Sequence, residues 1–162
     1  MVLTAAGLGA CSVWYHRAQT AQSVAFWGPD VGKLVASAPH VEVFRLRWGS
    51  KVTDAVDALE FDGREYFLRD GRDISRAPGL THMRTALLTD ASFDWQQPDP
   101  KSPTNWQYAL RFSREGETVL AAVSLVDARL GRASRTPRTV SIEPIARGMT
   151  AFLEEQFATP KQ

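Results

Sequence analysis

The chain has 162 residues, 44% of them apolar and 23% charged, with a net charge of +1. That length supplies one self-sufficient core, and that composition argues against wholesale disorder. Near-neutrality argues against a protein that holds nucleic acid through a strong basic field, and the single cysteine rules out an internal disulfide or a cysteine-built zinc site.

The N-terminal segment carries the most specific pattern. Leu8-Gly9-Ala10-Cys11 places a leucine and two small residues before the chain's only cysteine. This tetrapeptide resembles the lipobox of bacterial lipoproteins. Small residues let an extended segment enter a signal peptidase, and the thiol becomes the thioether to diacylglycerol. The resemblance covers only the first dozen residues. It implies lipid attachment at Cys11, with palmitate-type chains, after cleavage of a signal peptide. Residues 1–17 are then a truncated signal and tether, and residues 18–158 a single domain. No Lys or Arg precedes Arg17, and the apolar stretch is short for a signal sequence, so this reading expects the true start to lie upstream of Met1. Ser12 after the cysteine implies the outer membrane, facing the periplasm, in a Gram-negative cell. Trp14, Tyr15 and Arg17 would then lie near the headgroups. The alternative is a cytoplasmic protein in which Cys11 is simply a small buried hydrophobe.

Beyond Arg17, residues 18–37 follow a helical period broken at Gly28-Pro29-Asp30. Ala21, Val24 and Ala25 share one face before the break, and Val31, Leu34 and Val35 continue after it. The spacing predicts two short helices jointed at Gly28, with Pro29 and Asp30 suited to a first turn and Pro39 as the stop. Phe44, Leu46 and Trp48 alternate as in a half-buried strand. Residues 59–68 read as a hairpin closed by Asp62-Gly63, and Asp70-Gly71 is expected to end its second strand. Ile74, Leu80, Met83, Leu87 and Leu88 mark another helix, entered through Ser75 and Pro78. The proline-rich stretch 97–103 is expected to be a surface loop.

Trp106, Tyr108, Leu110 and Phe112 are expected to share one strand face. A turn at Arg114-Glu115-Gly116-Glu117 leads into residues 119–126, apolar on both faces and therefore central in a sheet. Shorter strands around Arg129 and Val140 would complete a meander. A last helix from Pro144 would bury Ile145, Met149, Phe152 and Leu153. This order predicts an α+β fold, an antiparallel sheet with helices packed mainly on one face.

Chemistry-bearing patterns are sparse. His16, His40 and His82 have no metal-ligand spacing, although His40 and Glu42 would share a strand face. Ser75, His82 and Asp73 can be grouped on paper as a triad, but any chain of this size offers such a triple. There is no G-x-S-x-G elbow or phosphate-cradling glycine loop, so no catalytic residue, metal or cofactor is assigned. Two surface features are candidate sites. Arg129, Arg132, Arg135 and Arg138 lie on a turn-rich run without an acid, which would suit an anionic headgroup or polymer. Trp95, beside the proline loop, is the candidate ligand-binding aromatic, whereas Trp27, Trp48 and Trp106 read as core. The leading expectation is a non-enzymatic lipoprotein, membrane-anchored, whose domain binds an envelope protein or anionic polymer and not nucleic acid. The alternative is a soluble small-molecule-binding or regulatory domain with an aromatic pocket near Trp95 or Trp106.

Overall fold

A computed structural model describes residues 20–49, 57–61, 63–98, 104–133 and 138–158. Cys11, Arg135 and the proposed tether lie outside these residues. The chain begins with two helices, α1 (Ala21–Trp27) and α2 (Pro29–Ser37), jointed at Gly28. Gly28 takes φ 78°, a left-handed value that costs glycine little, and Pro29 opens α2 at its first turn. The buried face of α1 differs from expectation. Ser23, Phe26 and Trp27 turn inward, and Val24 is exposed. The two aromatic rings carry far more apolar area than Ala21, Val24 and Ala25 together can offer as a stripe, so they set the helix's rotation.

The sheet follows: β1 (His40–Trp48), β2 (Asp57–Phe61), β3 (Arg64–Asp73), β4 (Tyr108–Arg114), β5 (Glu117–Ser124), β6 (Arg129–Arg132) and β7 (Arg138–Ser141). Every pairing is antiparallel, and the order is β2-β3-β1-β4-β5-β6-β7. The β4–β5 hairpin closes through Glu115 and Gly116, both at positive φ as a two-residue hairpin turn demands. β1 lies between β3 and β4, so the chain must cross it to continue. α3 (Leu80–Leu87) sits in that crossing, and α4 (Ala146–Ala158) closes the chain. The fold is thus α+β, as the pattern of elements predicts.

Asp70-Gly71 does not end β3. The strand runs on to Asp73, and the dipeptide forms a bulge facing Phe44. Gly71 is needed there because a Cβ would lie 2.6 Å from the Phe44 ring.

Two cores occupy the two faces of the sheet. The larger packs Trp27, Leu34, Val35 and the inner residues of α3 and α4 against Val41, Val43, Leu110, Phe112, Ala121 and Val123. The smaller holds Phe44, Leu59, Phe61, Tyr66, Leu68 and Trp106 on the other face. Five strand spacings separate β2 from β6, about 24 Å in a flat sheet. Yet a Cβ at Gly131 on β6 would meet Phe61 of β2 at 2.4 Å and Trp106 at 2.7 Å. The sheet must therefore curl around this second core. Trp106 belongs here, opposite the face of Tyr108, Leu110 and Phe112, because it precedes the regular strand.

Candidate functional site

Among the described residues an apolar groove of about 610 Å³ lies between α3 and α4. Pro78, Met83 and Ala86 form one wall; Ile145, Met149 and Phe152 form the other. The exposed His82 and Glu155 also line it. Each helix has more apolar surface than the sheet can cover. Leu80, Met83 and Leu87 bury one stripe of α3, and Met149 and Leu153 bury one stripe of α4, leaving Phe152 half-buried in the groove. Gly148 lines the groove, and nothing lies within 4 Å of where its Cβ would be. The sequence pattern identifies these as core helices and misses the groove between them. The available signal is the row of small residues Gly79, Ala86, Gly148 and Ala151.

The run of arginines is placed differently from a free anion grip. Arg132 Nη1 donates to the carbonyls of Phe26, at 3.1 Å, and Trp27. Arg138 donates to the Ala25 carbonyl at 2.8 Å. These are the terminal carbonyls of α1, where a cation is favoured both by hydrogen bonding and by the helix dipole. Arg132 and Arg138 sit directly opposite each other on β6 and β7, and the adjacent carbonyls of α1 that each engages offset their repulsion. Arg129 is buried, points to the other side of the sheet and donates to the Pro98 carbonyl.

The end of α2 repeats this arrangement. Arg84 donates to the carbonyls of Ala36 at 3.0 Å and Ala38 at 2.5 Å, and Arg114 donates to Ser37. Burial, and then the neighbouring Arg114 charge, lower the Arg84 pKa from its usual value. A second cavity of about 420 Å³ lies beside Arg84, but its guanidinium already serves these carbonyls.

The aromatic candidates are also engaged. Trp95 is half-buried, donates from Nε1 to the Asp90 carbonyl at 2.9 Å, and packs 4.9 Å from the Phe93 ring. Trp106 is filled around by Phe61 and Gly131. Neither Trp95 nor Trp106 lines the groove between α3 and α4. Trp48 is no core residue: it is 63% exposed, with the Arg64 guanidinium 4.9 Å above its ring. Trp27 is fully buried, its Nε1 donating to Leu87 at 2.7 Å.

Of the paper triad, Asp73 accepts the backbone N–H of Ser75 at 2.8 Å, while His82 lies on α3 in the groove wall. Bonds from the Ser75 side chain and backbone hold the Asp73 carboxyl below its usual pKa, which suits a structural turn. Glu42 is engaged by Arg111, at 2.7 Å and 2.8 Å, and is not free to join His40 on a metal. Among the described residues no cluster of three His, Cys, Asp or Glu side chains could hold a metal, and no helix is long and apolar enough to cross a membrane. In comparisons with known proteins the chain matches no family model, no curated sequence and no solved structure.

Proposed function

We propose that this chain is a membrane-tethered binding domain of the bacterial cell envelope, held by a lipid on Cys11 and taking a small apolar ligand between α3 and α4. The observation that carries the tether is the position of the only cysteine, at the end of Leu8-Gly9-Ala10-Cys11. Nine residues separate Cys11 from α1 and reach at most about 30 Å, so the domain would sit close to the membrane surface. Ser12 favours the outer membrane. The groove supports the binding role: its volume falls in the range typical of small-molecule sites, and Met83 and Met149 give it adaptable walls.

Fractionation and intact mass of the protein expressed with its native upstream sequence test the tether. The expected mass is that of a chain beginning at Cys11 with its acyl groups, in the membrane fraction; Cys11→Ser should release it. A Cys11→Ser chain that stays on the membrane with unchanged mass sinks the anchor. Titration with N-phenyl-1-naphthylamine tests the groove separately. Gly148→Leu projects into open space and should abolish dye binding while leaving the fold intact. Undiminished binding would place the ligand elsewhere.

A further inference from the structure

A second set of arginines gathers on the sheet itself. Val43 faces the helix-side core, and Arg72 stands directly opposite it on β3, on the same face. Arg45 and Arg47 follow Val43 on that face of β1, and Arg45 stands directly opposite Arg69. Strict alternation from Arg69 would put Arg72 on the other side of the sheet. The bulge at Asp70 (φ 52°) and Gly71, two residues against Phe44 alone, turns it back. The bulge therefore assembles this face.

Such an assembly is costly when empty. A buried guanidinium donor without an acceptor loses its hydration with nothing in return. The Nε and Nη1 of Arg72 are shut off from solvent with no acceptor among the described residues. Arg45 and Arg47 are exposed, Arg45 lying 4.6 Å from the centre of the Phe157 ring. Arg69 has a partner of its own and is not needed for the argument. The acid on this face of β3, Glu65, lies beyond Phe67.

We propose that the face formed by Arg72, Arg45 and Arg47 is a binding site for phosphate oxyanions, with the β3 bulge as the device that brings Arg72 into it. Planar guanidinium forks match tetrahedral oxyanions, and Arg72, part-exposed as a residue, would swing its unsatisfied Nε and Nη1 outward onto a phosphate drawn in by Arg45 and Arg47. The same chemistry is offered by a lipid headgroup and by a soluble phosphate.

The test uses the full chain carrying Cys11→Ser, so that no acyl group contributes. Two probes are titrated: inorganic pyrophosphate by calorimetry, and phosphatidylglycerol–phosphatidylcholine vesicles by co-sedimentation. Binding to at least one is expected, weakening as salt rises. Arg72→Gln should lower affinity about tenfold, as should Arg45→Gln with Arg47→Gln, while Lys33→Gln, the same single loss of charge as Arg72→Gln but on α2, should change nothing. Pyrophosphate binding with these losses identifies a soluble ligand; vesicle binding alone, with the same losses, identifies a headgroup. Binding of neither probe, or equal binding by wild type and the Arg45/Arg47 double variant, overturns the site. That double variant alters only exposed side chains, so it decides the matter even if Arg72→Gln fails to fold.

Discussion

Two groups of arginines on this molecule differ in what faces them. Arg84 and Arg114 close the end of α2, and Arg132 and Arg138 close the end of α1; between them they bond six consecutive-type helix-end carbonyls, those of residues 36–38 and 25–27. Arg72, Arg45 and Arg47 share a sheet face, where the Arg45 guanidinium lies against the ring of Phe157 in the last turn of α4. The first group is structural because backbone acceptors are supplied by the fold. In the second, Arg72 leaves both Nε and Nη1 without an acceptor, whereas Arg84 and Arg132 each leave Nε alone. The contrast teaches that a basic residue's role depends on the acceptors opposite it, and that these come from distant parts of the chain.

The largest effect on this contrast should come from Arg132→Met. It keeps much of the apolar stem but strips the carbonyls of Phe26 and Trp27 of their charged donor, and should cost about 3 kcal/mol in urea unfolding. Loss of the exposed Arg138 contact in Arg138→Gln should cost no more than about 1 kcal/mol by the same measurement. Arg72→Gln should act in the opposite direction. Without phosphate it removes two buried donors that have no acceptor, so Tm should stay level or rise slightly; a loss as large as that of Arg132→Met would put Arg72 in the structural group.

The smallest effect is electrostatic and lies at the end of β3. Asp73 has a folded-state pKa below its unfolded value, so its contribution is complete above the unfolded pKa of about 3.9 and is lost as pH falls through the lower folded value. Asp73→Asn should remove that contribution, lowering stability slightly at neutral pH and not at all below the folded-state pKa, so that the acid limb of the stability profile flattens. An unaltered acid limb would remove Asp73 from the turn's energetics.

Much of the fold was legible in local pattern. The joint at Gly28, the β4–β5 turn, the meander and the final helix all rest on short-range signals: proline's fixed φ, residues that accept positive φ, and apolar period. The errors share a cause. Asp70-Gly71 has the composition of a turn, yet its position is decided by the Phe44 ring on another strand. Trp48 is in phase with buried Phe44, but it lies far enough along β1 to leave the core. Arg132 and Arg138 read locally as free basic side chains, because their acceptors, more than a hundred residues earlier, leave no mark on neighbouring positions.

By itself the sequence determined the kinds of element, their order and the antiparallel α+β class, because propensity, capping and periodicity act over a few residues. It also fixed the lone cysteine behind Leu8-Gly9-Ala10, on which the proposed tether rests. Tertiary structure alone decided the curl that brings Phe61 onto Gly131, the groove between α3 and α4, and which arginines meet carbonyls. Those outcomes depend on contacts between residues tens of positions apart, where packing and hydrogen-bond satisfaction override any local preference.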